Sequence, residues 1–189
     1  MIYVIRHGQT DWNKERRMQG RRGLPLNDHG IGQAHSLRDA LNGIRFDHVF
    51  SSPQERARQT AEIVSGKSPV IDERLNVIDL VEADGVRLEE LKRVGPLPNP
   101  EVYKGIEDPN ALVRRVFHFM NELQDTYGRE ENILIAGHRC TTGCIGAFFN
   151  GMPEDRNILT LSSDTGGYQN LSFRIKKGTS IRRSLSLFF

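Results

Sequence analysis

The chain has little of what would mark several large protein classes. It holds two cysteines, Cys140 and Cys144, too few for a disulfide framework. No run of about 18 apolar residues occurs, so no helix is expected to span a membrane. The opening stretch, Met1 to Thr10, is too poor in apolar residues for a secretory leader and has no small-residue cleavage segment. Neither sign of charge dominates: 26 Lys+Arg against 24 Asp+Glu leave a formal charge of +2. A dedicated nucleic-acid binder usually shows a strong basic excess. Repeats and low-complexity tracts are absent too. The expectation is a soluble cytoplasmic protein, monomer or homodimer, with neither nucleic acid nor membrane as partner.

What is there points to one domain. The chain has 189 residues, 37% of them hydrophobic, enough for a core without disulfides or metals. Short β-rich runs bounded by glycine or proline read as buried strands: Ile2 to Ile5, residues 46–53 and residues 132–138. Helical patterns follow. Ile31, Ala34, Leu37 and Leu41 share one face, with Gly43 as a stop. Ala57, Ala61 and Val64 share another, with Pro53 as an early helical residue after the cap candidates Ser51 and Ser52. The longest pattern, residues 109–127, carries Leu112, Val116, Phe119, Met120 and Leu123 after an Asp108-Pro109 start. Strands alternating with helices predict an α/β, three-layer sandwich: a mainly parallel central sheet with helices on both faces. Residues 84–108 hold Pro96, Pro98 and Pro100 and read as a loop-rich insertion. Residues 167–189 read as a hairpin, with Lys176-Lys177 and Arg182-Arg183 on a solvated face.

Chemistry-bearing residues sit at three strand ends. Arg6-His7-Gly8 follows the first strand, Arg56 opens the helix after the second, and Gly137-His138 follows the third. Ligands of open α/β sheets bind beyond the carboxyl ends of strands. Two arginines and two histidines converging there would suit a phosphate, since guanidinium forks match phosphate oxygens and helix N-termini add N–H donors. Three other motifs are set aside. Gly66-Lys67-Ser68 would need glycine where Ala61 stands. A cysteine-phosphatase loop would need arginine where Gly146 stands. His138, Cys140 and Cys144 supply three metal ligands, whereas zinc usually takes a fourth.

The residues Arg6-His7-Gly8-Gln9-Thr10, with Asn13 after them, resemble the opening motif of the histidine phosphatase superfamily, which includes phosphoglycerate-mutase-like phosphatases. Gln19-Gly20, Pro25-Leu26, Gly30 and Gln33-Ala34 resemble its second signature. Ser51-Ser52-Pro53 with Arg56-Ala57 and Gln59-Thr60-Ala61 resembles its third, and Gly137-His138 its fourth. The resemblance implies that His7 attacks phosphorus and forms a phosphohistidine that water hydrolyses. Arg6, Arg56 and His138 would hold the equatorial oxygens. Gly8, Gln9, Thr10, Asn13, Gln19 and Gly20 would complete phosphate binding, Gly8 by letting the chain approach it closely. No metal or other cofactor is implied, and the partner is a small phosphorylated substrate.

One departure stands out. Members of the family place a proton-donating glutamate after the third motif, and Val77 occupies that position here. Val81 replaces a glycine of the same stretch. Asp79, Glu82 and Asp84 are the candidate substitutes. In an extended chain Asp79 would point to the same side as residue 77. Gln9 stands where glutamate is common. Arg139 stands where a small residue is usual and would contact a second anionic group, narrow the site's mouth or face solvent. Three functions follow: a metal-independent phosphomonoesterase, a phosphoglycerate-type mutase, or a low-turnover binder of phosphate esters. The short interval between Arg56 and His138 favours the phosphatase.

Overall fold

The computed structural model describes residues 1–22, 24–128 and 130–173. Its elements in chain order are β1 (Ile2–Arg6), α1 (Asp11–Lys14), α2 (Asp28–Ala40), β2 (His48–Ser51), α3 (Glu55–Ser65), β3 (Val70–Ile71), β4 (Arg93–Val94), β5 (Leu97–Pro98), α4 (Pro109–Thr126), β6 (Ile133–Gly137), α5 (Arg139–Asn150) and β7 (Tyr168–Leu171). The main sheet has the order β3-β2-β6-β1-β7. All neighbours run parallel except β7, which is antiparallel to β1.

Both faces of the sheet are covered, which is why its central strands are largely apolar. Side chains alternate between two cores. Ile2, Val4, Ile133 and Ile135 pack towards α4 and α5, with Val116, Phe119 and Ile145. Tyr3, Ile5, Leu134 and Ala136 pack towards α2 and α3, with Leu37, Ala61 and Val64. The strand period of two thus builds the three-layer sandwich. No helix among the described residues is long and apolar enough to cross a membrane.

Several boundaries differ from the sequence expectation. α2 starts at Asp28, capped by the Asn27 side chain on the Gly30 amide, so Gly30 lies inside the helix. α3 starts after Gln54, leaving Pro53 outside it, and neither Ser51 nor Ser52 caps it. The helix over 109–127 is found as α4, with the Asp108 carboxylate accepting from the Asn110 amide. In residues 84–108 the only regular pairing among the described residues is the small β4–β5 ladder. Of the hairpin expected over 167–189, Tyr168–Leu171 forms the strand beside β1. Residues 174–189, with Lys176-Lys177 and Arg182-Arg183, lie outside the described residues.

The topology brings the chemistry together. β6 inserts between β1 and β2, so the ends of β1, β6 and β2 lie side by side: Arg6 pairs with Gly137, and Ser51 with Ala136. The next residues, His7, His138 and Ser52, therefore emerge at one edge, where a switch in strand order opens a crevice.

Candidate active site

His7 and His138 leave adjacent strands with ring centroids 5.1 Å apart. Both are buried. The His7 Nδ1 lies 2.7 Å from the Gly8 carbonyl. A carbonyl only accepts, so Nδ1 carries the proton and Nε2 keeps its lone pair. The protonated form of His7 is disfavoured first by burial and then by the Arg56 charge. The Gly8 carbonyl opposes this, and Arg6 adds to it. His138 is held well below the ordinary histidine range by burial, then by Arg56, His7 and Arg6. Both rings are thus neutral imidazoles, the form a nucleophile requires.

The arginines are fixed before any ligand arrives. Arg56 is fully buried, and its Nη1 and Nη2 donate to the carbonyls of Arg22 (2.9 Å) and Gly20 (2.8 Å). Arg6 donates from Nη1 to the Ser163 carbonyl at 3.3 Å. Burial lowers each pKa to about 10, with Arg139 contributing at Arg6, so both stay charged at neutral pH. His138 is oriented by Ser52 Oγ at 2.7 Å and Gln54 Oε1 at 3.1 Å. Gln54 donates in turn to Asn76 Oδ1. These interactions give Ser52 and Gln54, which lie just before α3, a site-building role. The sequence signal for Ser52 was its place in the third motif, read there as a helix cap; Gln54 carried none.

Among the described residues, five buried side-chain polar atoms have no partner: Arg6 Nε, Arg56 Nε, His138 Nδ1, Gln19 Nε2 and Ser163 Oγ. Four belong to residues singled out from the sequence. The fifth, Ser163, is on the segment whose carbonyl holds Arg6. Its Gly166 neighbour donates N–H bonds to the carbonyls of Arg6 and His7, both 3.2 Å. Ser163 was missed because it sits in a loop without pattern. Buried polar groups are rarely left unpaired, so those on Arg6, Arg56 and His138, which act electrostatically on the His7 ring or lie beside it, are groups that could take up an anion.

Other candidates build the site without presenting free groups to it. The Gly8 amide donates to Thr60 Oγ1 at 3.1 Å. A Cβ on Gly8 would stand 2.5 Å from the Gly30 carbonyl oxygen, so its close approach is to α2, not to phosphate. Gly20 uses its carbonyl on Arg56 and its amide on Asp84. Gln9 binds α2 through Gln33 and Asn27. Thr10 and Asn13 cap α1 reciprocally, and Thr10 also donates to Gln19 Oε1. Arg139 is exposed at the start of α5.

The acidic candidates are all engaged. Val77 is buried in the α4–α5 core, whereas Asp79 pairs with Arg21 at 3.2 Å; the same-side expectation fails because this stretch is not a regular strand. Glu82 is exposed and accepts the Lys104 amide at 2.7 Å. Asp84 accepts the Gly20 and Arg22 amides. It braces the loop that holds Arg56.

Known proteins share this fold. The model of the histidine phosphatase superfamily, branch 1, matches residues 2–182. The chain belongs to that superfamily. It is 26% identical over 156 residues to an uncharacterized phosphatase, PhoE, of Bacillus subtilis, covering 81% of this chain and 79% of that protein. It is 27% identical over 164 residues to a probable phosphoglycerate mutase, GpmB, of Klebsiella pneumoniae, covering 80% and 75%. Among solved structures, a mycobacterial glucosyl-3-phosphoglycerate phosphatase complexed with VO3 superposes with a TM-score of 0.75, 21% identity and coverage of 88% and 90%. A phosphoglycerate mutase of Thermus thermophilus gives 0.63 at 29% identity, covering 79% and 84%. The superfamily member described here thus sits among phosphatases and mutases and shares their fold.

Proposed function

We propose that this chain hydrolyses phosphomonoesters through a phosphohistidine on His7, without a metal, and that its substrate is a small phosphorylated molecule. The observation that carries the reading is the set of unpartnered buried polar atoms on Arg6, Arg56, Gln19 and His138, beside the neutral His7. His7 Nε2 attacks phosphorus while Arg6, Arg56 and Gln19 donate to the non-bridging oxygens. A bound dianion draws a proton onto His138 Nδ1, which then donates as well. Donors fixed in advance stabilise the charge redistributing in the transition state without reorganising.

The engaged carboxylates favour a second reading, a phosphate-ester binder with little turnover. General acid catalysis is worth about 10²–10⁴-fold, and no carboxylate here is free to supply it. One assay separates the two. With EDTA present, the chain and its His7→Ala variant are given p-nitrophenyl phosphate, whose leaving group needs no proton. Hydrolysis that vanishes in His7→Ala supports the enzyme. Equal, negligible rates leave the binder. Interconversion of phosphoglycerates at a rate exceeding phosphate release would instead make it a mutase.

A further inference from the structure

Three residues in series hold the His138 ring from outside. Glu73 Oε2 accepts from Asn76 Nδ2 at 2.6 Å, Asn76 Oδ1 accepts from Gln54 Nε2 at 2.7 Å, and Gln54 Oε1 lies 3.1 Å from His138 Nε2. Asn76 and Gln54 are buried, whereas Glu73 is exposed. Glu73 and Asn76 meet because Glu73–Leu75 form one 3-10 turn, in which side chains three apart eclipse. The exit of the turn is pinned. The Asn76 carbonyl accepts from Arg115 Nη1 of α4 (2.6 Å) and from Thr141 Oγ1 of α5 (3.2 Å). Asn76 adjoins Val77, so the stretch that lacks the expected acid still reaches the site through its neighbour.

The direction of every bond in the series follows from the carboxylate. A carboxylate only accepts, so Asn76 turns its amide nitrogen to Glu73 and its oxygen to Gln54. Gln54 then donates to that oxygen and turns its own oxygen to His138. A carbonyl oxygen facing Nε2 requires a proton on that nitrogen. Ser52 Oγ, 2.7 Å from the same nitrogen, decides nothing, since a hydroxyl donates or accepts. Nδ1 is left as a bare, buried lone pair without a partner.

We infer that Glu73 and Asn76 are positioning residues that set the tautomer of His138: an exposed carboxylate, acting through two amides, decides which ring nitrogen of a buried histidine is free to meet a ligand. The two histidines then carry opposite tautomers. His7 keeps its proton on Nδ1, against the Gly8 carbonyl, and His138 keeps its proton on Nε2, against Gln54. Each is left with its other nitrogen as an acceptor. A phosphomonoester therefore binds with one proton shared between a non-bridging oxygen and His138 Nδ1. That proton enters with the phosphate or from solvent, and no other bond changes.

As a role in the reaction the inference rests on the phosphatase reading; the tautomer itself does not. Long-range proton–nitrogen NMR correlations of the imidazoles read the tautomer directly, with the His138 signals assigned by their loss in His138→Gln. The expected result is a protonated Nε2 and a bare Nδ1 on His138, and the reverse on His7. Glu73→Lys replaces an acceptor by a donor, so Asn76 and Gln54 turn over and the His138 proton moves to Nδ1. The double variant Glu73→Lys/Asn76→Asp restores the original pattern, because a carboxylate at that position accepts from both neighbours. kcat/KM for p-nitrophenyl phosphate is expected to fall about tenfold in the single variant, the low end of what outer partners of ligating histidines are worth at metal sites, and to return in the double one. The backbone amide spectrum reports that both variants are folded. A His138 protonated on Nδ1 in the unaltered chain, or a tautomer unmoved by Glu73→Lys, overturns the inference whatever the activity. A moved tautomer with unchanged kcat/KM overturns the role in the reaction. Hydrolysis no faster than in His7→Ala, with both tautomers as expected, overturns the phosphatase reading and leaves the tautomer assignment standing.

Discussion

The two halves of the site are built on opposite terms. On the phosphate side, Arg6, His7, Arg56 and His138 hang from strand ends or the first turn of a helix, and buried donors await a partner. On the leaving-group side, residues 76–85 have no strand to hold them, and each carboxylate there already has a partner. Preorganisation without free donors for the leaving group separates phosphorus chemistry from proton chemistry. On the proposed reading, the groups for the first are in place, and the second is left to the substrate or to solvent.

The largest expected effect strikes the intact half. His7→Ala removes the proposed nucleophile and is expected to lower aryl phosphate hydrolysis by about 10³-fold or more, measured as phosphate release at saturating substrate. Arg56→Ala follows. It removes a charge near phosphorus and the donor to the carbonyls of Gly20 and Arg22, so a loss of about 10²–10³-fold is expected. Arg56→Lys should recover little of it, since one ammonium cannot keep both carbonyl contacts and a phosphate.

The depleted half predicts a kinetic signature. Phosphorylation of His7 by an aryl phosphate needs no acid, but hydrolysis of the phosphohistidine needs a base to activate water. A pre-steady-state burst of phenol approaching one equivalent per chain is therefore expected, with the phosphorylated chain visible by intact mass after a quench without acid, which would hydrolyse the N–P bond. A linear time course with no burst would place an effective base near His7 and erase the contrast between the halves.

Acid should separate the halves again. His7 and His138 have folded-state pKa values well below 6.5, chiefly through burial. Between those values and 6.5 the unfolded chain binds more protons than the folded one, so stability is lost as pH falls below 6.5. The limiting slope is about 1.4 kcal/mol per pH unit for each histidine. A fall in urea midpoint from pH 7 to pH 5 checks this. Inorganic phosphate should oppose the fall, because a bound anion restores the partner that protonated His138 lacks. Glu131 has its pKa lowered by His48, but that pair is on the surface and contributes little.

How much was legible depended on the kind of constraint. The strands, α4 and the convergence of Arg6, His7, Arg56 and His138 followed from periodicity and strand-end placement. Both are local patterns that the sheet turns into proximity. The roles of Gly8, Ser52, Gln54 and Ser163 were not legible, because each depends on a partner far along the chain: Gly30 and Thr60 for Gly8, His138 for Ser52 and Gln54, Arg6 for Ser163. The fate of Asp79 was misread for the same reason. Its side was set by Arg21 and by the exchange of backbone contacts with Glu107, not by alternation along a strand.

The smallest expected effect concerns the cost of the altered segment itself. Val81 has φ +42°, in the left-handed region, where a β-branched side chain is strained. It is also half exposed, with its methyl groups near Gly105, so little core packing offsets the strain. Val81→Gly relieves the strain but makes the unfolded chain more flexible, and the two effects oppose each other. The strain term is the larger for a β-branched residue, so a net stabilisation of about 1 kcal/mol is expected, read as a rise in the urea midpoint. Activity towards aryl phosphates should stay within about twofold, because no carboxylate is freed by the change. A large gain in alkyl phosphate hydrolysis from Val81→Gly would show instead that the strain, rather than the loss of the acid at residue 77, keeps a neighbouring carboxylate from reaching the leaving group.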